Sequence, residues 1–450
     1  MNRLLLIALG TRGDVQPAIA LGRGLRDAGF GVTVLAGDDF GDWITAHGLV
    51  FAPSGIDMQA LMRSPDGIAW AHARSPSEEI RRMRALFRRF GPTSARAILG
   101  AAADADILVG AFTADATATA VAEKLGKPYF TTALQPLHPT RSGAATSQPV
   151  LAGRDSVLNR LAGRLAEWFL FGVFEETVHA WRRELGLPPW TRRAYYDRLH
   201  AVPTLCGFSA HAVPRPPDWP AHKAVTGYWF LDDDDGWEPP TDLVAFLAAG
   251  PPPVYVGFGS MSDPDGAATG DLILRALRRQ GLRAVLAQGW AGLGMGAAPA
   301  SPSAAAPRRV DRDDVYVLPA APHTWLFPRM AGVVHHGGAG TTGAAFRAGV
   351  PQLVIPHFAD QPFWGRRTHA LGVGVRPIAR RDLTEPALAR GLAALVGSPE
   401  LASRAATLGT AIRAEDGVRN AVATFQRWLA EPGVGRRSAR PDAPPGNVRG

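Results

Sequence analysis

Short apolar runs alternate with helical patterns along nearly the whole chain, and this alternation constrains the fold more than any single motif. "RLLLIAL" reads as a strand, "PAIALGRGLRDAG" as a helix and "GVTVLAG" as a second strand. "DILVGAF" and "PYFTTAL" flank a helical stretch over residues 116–125. Strands separated by helices pair in parallel and build an α/β sheet. The pattern resumes in "PPPVYVGFGSM", the helix "DLILRALRRQ", and the strand-like runs "RAVLAQG", "DVYVLPA", "GVVHHGG" and "QLVIPHF". Between the two series lies a Pro- and Asp-rich stretch containing "PRPPDWP" and "LDDDDGWEPP". Turn and breaker residues at that density mark a connection between domains. The chain has 450 residues, too many for one ordinary core. The expectation is therefore two α/β domains, at 1–215 and 241–432, joined by a linker at 216–240. A disordered tail is expected at 433–450, and a surface insertion at "GLGMGAAPASPSAAAP". Two such halves leave a cleft between them, where small-molecule sites are found.

Residues 333–351, "VVHHGGAGTTGAAFRAGVP", carry the densest chemistry. A strand runs into a Gly-rich turn and then a helix, so backbone N–H groups and the helix N-terminus can meet an anion. The pattern is neither G-x-G-x-x-G nor the Lys-bearing P-loop. A metal site and a plain structural turn are the competing readings. Neighbouring residues of a strand point to opposite faces, so His335 and His336 do not readily share one ion.

Three further stretches are candidates. "PHFADQPFWG" follows a strand, and Asp360 and Gln361 there can bond vicinal hydroxyls; a polar loop capping the next helix is the alternative. "GTRGDVQP" follows the first strand, and its Asp14 is either a catalytic side chain in the cleft or a helix N-cap. A helix N-terminus lowers a carboxylate pKa, so a base at this position needs burial to raise it again. In "IRRMRALFRRF", Ile80, Met83, Phe87 and Phe90 recur at helical spacing among arginines. Such a helix docks on its own domain or lies on a membrane. "LDDDDG" has no strand before it and reads as a solvated acidic turn rather than a metal site.

Composition adds bounds. Hydrophobic residues make up 46% and charged residues 20%, as in soluble globular proteins. The formal charge is +8, but no nucleic-acid-binding motif accompanies it, so nucleic acid is not expected as a partner. Cys206 is the only cysteine, which excludes an internal disulfide. "MNRLLLIALG" is too short an apolar run for a signal peptide, and no membrane span is read. A cytoplasmic monomer or weak dimer is expected.

Taken together, these segments resemble the family 1 nucleotide-sugar glycosyltransferases of the GT-B fold, in particular the sterol glucosyltransferase-like and glycopeptide-antibiotic branch. "GTRGDVQP", "TGYWFLD", "WEPPTDLVAFLAAGPPPVYVGFGSM" and "PAAPHTWLFPRMAGVVHHGGAGTTGAAFRAGVPQLVIPHFADQPFWG" carry the likeness, in that order along the chain. The resemblance implies two Rossmann-like domains, the first binding a hydrophobic acceptor and the second a UDP- or dTDP-sugar. It implies Asp14 as general base. His336, with Gly338, Gly340, Thr341 and Ser260, would meet the diphosphate. Ala321 and His323 would border the base, Asp360 and Gln361 would hold the sugar, and Arg12 and Gly13 would adjoin the donor. No cofactor or metal is implied, and a lipidic acceptor would bring peripheral membrane contact. Many relatives carry Glu where this chain has Ala344, and plant relatives carry Trp at Ala320 and a His base with an Asp partner where this chain has Asp14 and Phe112. An epimerase or hydrolase on the same scaffold, and a nonenzymatic nucleotide-sugar binder, are the other functional classes open to this sequence.

Overall fold

The computed structural model describes residues 2–71, 73, 75–147, 150–232, 236–259, 266–287, 308–310, 314–431 and 434–435. The first sheet has seven parallel strands: β1 (Arg3–Ala8), β2 (Gly31–Ala36), β3 (Val50–Pro53), β4 (Ile107–Ala111), β5 (Tyr129–Ala133), β6 (Thr204–Cys206) and β7 (Lys223–Val225). Their spatial order is β3-β2-β1-β4-β5-β6-β7. Helices cover both faces, so central strands are apolar on both sides. Leu4, Leu5, Leu6 and Ile7 of β1 are all buried, with Leu4 in register with Val32 on one side and Ile107 on the other.

The second sheet contains β8 (Val254–Gly257), β9 (Ala284–Ala287), β10 (Arg308–Val310), β11 (Val315–Leu318), β12 (Gly332–His335) and β13 (Gln352–Val354). Their order is β10-β11-β9-β8-β12-β13, parallel except for β10, which runs antiparallel to β11. This is the two-domain GT-B architecture. Each sheet reverses its winding once, between β1 and β4 and between β8 and β12. Open α/β sheets bind ligands outside the carboxyl ends of their strands at such reversals. The turn after β1 runs from Leu9 into the helix start at Arg12, and the turn after β12 begins at His336.

Two boundaries differ from the sequence reading. The stretch 216–240, expected as a linker, contains β7, whose Ala224 stands opposite Leu205 of β6. Lys223 anchors it by donating from Nζ to the carbonyl of Val202 at 2.6 Å and to Thr204 Oγ1 at 2.9 Å. Proline density read as a linker is here a loop within the first domain, and Trp229 and Leu231 beyond it lie in that domain's core. The end of the stretch 241–432 also crosses back. Helix Gly417–Ala430 returns to the first domain's core, where Val422 lies beside Gly24 of helix Arg12–Asp27, and Phe425 and Trp428 meet Phe130 of β5 at 4.8 Å and 6.3 Å between ring centroids. Within the expected tail, Gly435 accepts the Tyr129 N–H at 3.1 Å, while residues 436–450 and the insertion 292–307 lie outside the described residues.

The domains also share an apolar cluster, in which Phe208, Val213 and Trp219 meet Phe346, Trp364 and Ile412. The helix containing residues 80–90 spans Pro76–Ala103 and turns Ile80, Met83 and Phe87 into its own domain's core. Phe87 meets Phe174 of helix Val157–Glu184 at 6.3 Å between ring centroids. The docked-helix reading of that stretch is the one the structure has. Among the described residues, no helix is long and apolar enough to cross a membrane.

Candidate active site

The first wall of the site starts at the end of β1. Helix Arg12–Asp27 opens there with Thr11 as N-cap, so Asp14 is the third helical residue and not the cap itself. Its Oδ2 accepts the Thr11 N–H at 2.9 Å. The arrangement is tight. A Cβ added to Gly10 would sit 2.1 Å from Asp14 Oδ2, so only glycine leaves room for the carboxylate. Burial raises the Asp14 pKa to about 6 against the opposing pull of the Thr11 N–H. The tension posed by the helix N-terminus is thus resolved in favour of burial.

Asp14 borders an open cavity at the β1/β4 reversal. Ile7, Ala8, Ala111, Leu134 and Leu137 make its surface largely apolar, and Thr113, Thr132 and Gln135 add polar points. Sequence reading missed these three, because isolated Thr and Gln after strands carry no periodic signal. Phe112 also lines the cavity. Asp115 does not, being buried and bonded to Tyr129 Oη at 2.5 Å and Thr131 Oγ1 at 2.6 Å.

The second wall begins at β12. Alternation separates the two histidines as expected. His335 is fully buried; its Nδ1 accepts the Gly337 N–H at 3.1 Å, so its Nε2–H donates to Gln352 Oε1 at 2.9 Å. His336 is only half-buried and lies between glycines. A Cβ on Gly338 would come within 2.6 Å of its Nε2, and one on Gly259 within 3.2 Å of its Cε1. Its Nδ1 has no hydrogen-bond partner among the described residues, and burial lowers its pKa to about 4. The imidazole is therefore neutral at neutral pH. Helix Ala339–Ala348 follows with Gly338 as N-cap and no side chain capping it, and Gly340 and Thr341 stand in its first turn. The N–H groups of this first turn other than that of Ala339, which Asp360 takes, can receive an anion.

Asp360 stands before the same helix. Its carboxylate accepts from Trp364 Nε1 at 2.9 Å and from the N–H of Ala339. Burial, reinforced by the charge of Asp14, raises its pKa to about 7. Gln361 is buried, and its Oε1 accepts the N–H groups of His357 at 2.8 Å and Phe358 at 3.2 Å, so its carbonyl shapes the loop. Ala359 between them has φ 55°, a left-handed conformation rare for a residue with a Cβ. The first domain reaches this loop with two residues that sequence reading missed. Trp70 meets Phe358 at 5.0 Å between ring centroids, and Glu79 accepts the Ala359 N–H.

On the far side of His336, His323 stacks on Phe327 at 4.2 Å. The charge of Arg12 acts on His323, which places Arg12 of the first domain beside the second-domain wall; Gly13 is exposed next to it. Ala321, Trp325 and Ala344 are each partly buried against one apolar cluster of the second domain. Ser260 lies outside the described residues. Of "LDDDDG", Asp232 pairs with Arg347, and residues 233–235 are outside the described residues. The remaining predicted residues converge at the two sheet reversals.

Comparison with known proteins adds sequence relationships to this geometry. Residues 4–143 match the glycosyltransferase family 28 N-terminal domain, and residues 308–422 match the erythromycin biosynthesis protein CIII-like C-terminal domain. A sterol 3-beta-glucosyltransferase of Neosartorya fischeri is 33% identical over 95% of this chain, which spans only 29% of that protein's length. A sterol 3-beta-glucosyltransferase of Arabidopsis thaliana is 31% identical over 95% of this chain and 66% of its own length. The crystal structure of glycosyltransferase VinC in complex with DTDP superposes with a TM-score of 0.63 at 18% identity, covering 97% of this chain and 100% of VinC. With one domain model matching each half and curated relatives aligned along nearly all of it, the chain belongs to the family 1 nucleotide-sugar glycosyltransferases, beside the sterol glucosyltransferases and antibiotic glycosyltransferases.

Proposed function

We propose that this chain transfers a hexose from a UDP- or dTDP-sugar to a hydroxyl of a hydrophobic acceptor, with inversion and without a metal. The observation that carries this reading is the pairing of two unlike surfaces. A carboxylate of raised pKa borders an apolar cavity in one domain, and a Gly-rich helix start beside an imidazole whose Nδ1 has no partner among the described residues belongs to the other. The sterol glucosyltransferase names of the curated relatives favour the same reading.

The chemistry follows from the charges. Departure of the nucleoside diphosphate puts negative charge on oxygen at the start of helix Ala339–Ala348. The N–H groups there and the His336 ring meet it. Asp360 holds sugar hydroxyls, and Trp364 and Ala339 fix its carboxylate for that role. The acceptor hydroxyl attacks from the first-domain side and loses its proton to Asp14. A carboxylate is a weak base toward an alcohol, so proton transfer is late and concerted with attack. At neutral pH a group with a pKa of about 6 is ionised yet more basic than an ordinary carboxylate. Attack opposite the leaving group inverts the anomeric centre, and no carboxylate nucleophile is required. The contacts of Trp70 and Glu79 with the sugar-side loop help exclude water on closure.

The test is product mass spectrometry with UDP-glucose and dTDP-sugars against a panel of sterol, polyketide and other hydrophobic alcohols. Glycosylated product supports the reading. Donor consumed equally with and without acceptor assigns a hydrolase or epimerase, and donor bound without turnover assigns a binder.

A further inference from the structure

We propose that the solvent face of the first three turns of helix Val157–Glu184 is a docking surface for an anionic phospholipid bilayer. Val157, Leu158, Leu161, Leu165, Trp168 and Phe169 are each between 47% and 56% exposed. Val150 and Leu151, just before the helix, are exposed as well, so the large exposed apolar side chains of the described residues concentrate here. At 3.6 residues per turn the six helical residues fall within about 120° of the circumference. Arg160 and Arg164 follow along one border of that arc, and exposed Arg154 precedes the helix. An apolar stripe of Leu, Phe and Trp edged by arginines is the pattern of a helix lying in a membrane interface.

The face is built rather than loose. On the opposite side Asn159 donates from Nδ2 to the carbonyls of Arg141, Leu151 and Arg154, and its Oδ1 accepts the Leu151 N–H at 2.9 Å. That side chain pins the loop against the helix. Phe171, Val173 and Phe174 bury the helix further on. Trp168 is held by Arg192, whose guanidinium carbon lies 4.2 Å from its ring centroid.

Charge selects the occupant. A second copy of this chain would bring its own arginine border to the same face and would need acidic partners there. The nearby carboxylates are already engaged, Glu167 with His200 at 2.8 Å and Asp155 with the Gly143 N–H at 3.3 Å. The basic C-terminal stretch "RRSARPDAPPGNVRG" has no apolar run to cover the stripe. A bilayer with anionic headgroups satisfies both the stripe and the arginines. The surface also adjoins the acceptor cavity. The loop it includes starts from Leu137, which lines that cavity, and Gly163 of the helix lies against Pro139. Loading a membrane-resident acceptor through this edge rests on the proposed transfer reaction; the docking itself does not.

The experiment is co-sedimentation of the full chain with phosphatidylcholine vesicles, with and without phosphatidylserine. Binding to the serine-containing vesicles is expected. It should weaken about tenfold or more in Leu161→Asp/Leu165→Asp and fall with added salt or in Arg160→Glu/Arg164→Glu. Both variants should keep the wild-type melting temperature and normal transfer to a water-soluble acceptor. Absence of wild-type vesicle binding overturns the proposal. A wild-type dimer that Leu161→Asp/Leu165→Asp splits, with no vesicle binding, assigns the face to a second copy. Intact vesicle binding without transferase activity overturns only the proposed function.

Discussion

The carboxylate of Asp14, from the first domain, lies close enough to Asp360, from the second, for its charge to help hold the Asp360 pKa at about 7. Two acids on opposite walls thus share one field, and Asp14 titrates at about 6. A base acts only when unprotonated. Transfer is therefore expected to fall as pH drops through about 6, and the pH profile of kcat/KM checks this. A profile flat down to pH 4 would remove Asp14 from the role of base.

Asp14→Ala is expected to lower turnover about 10²–10⁴-fold while nucleoside diphosphate binding survives. Gly10→Ala separates position from presence. The added methyl would contact Asp14 Oδ2 at 2.1 Å, so the carboxylate must leave the Thr11 N–H. Turnover in that variant should fall toward the Asp14→Ala level. If Gly10→Ala is fully active, the carboxylate needs no fixed place.

Two adjacent histidines should fail in different ways. His336→Ala removes the ring proposed to meet the diphosphate and is expected to weaken nucleoside diphosphate binding about tenfold or more, with little change in melting temperature. His335→Ala leaves Gln352 and Gly337 without their buried partner. That costs about 1–3 kcal/mol of stability. Calorimetric titration and thermal melts on both variants distinguish these outcomes, and identical behaviour would contradict the division of roles.

EDTA is expected to leave transfer largely intact, because in the proposed reaction the start of helix Ala339–Ala348 and the His336 ring would meet the diphosphate charge. Strict dependence on an added divalent ion in the turnover assay would show that these donors are insufficient.

Much of this was legible from periodicity. The runs around β1, β4, β8 and β12 are continuous and apolar because both faces are covered, and glycines follow β1, β8 and β12. Other features leave no local trace. β6 and β7 have three residues each and depend on neighbours for their pairing. Trp70 and Glu79 reach the sugar-side loop from a different domain, which no spacing in the sequence encodes. The return of helix Gly417–Ala430 to the first domain is likewise a tertiary choice, since an amphipathic helix does not name the sheet it covers. Asp14 illustrates the limit within one residue. Its place beside a helix start was readable, but whether burial or the helix would set its pKa was not.

The raised pKa of Asp360 carries a stability consequence of definite sign. Its ordinary value is 3.8 and its folded value about 7, so the folded state binds the proton more tightly than the unfolded chain. Stability from this group is complete below pH 3.8, declines as pH rises through that interval, and is lost above about 7. Asp360→Asn cannot ionise, and its side-chain oxygen can still accept from Trp364 Nε1. The variant should therefore melt higher than the wild type at pH 8, by about 1–2 kcal/mol after allowance for partial exposure, and gain nothing at pH 4. Transfer should fall in the same variant if the carboxylate holds the sugar. Thermal melts of both proteins at the two pH values decide the matter. An equal difference at both would mean that the ionised carboxylate costs the fold nothing.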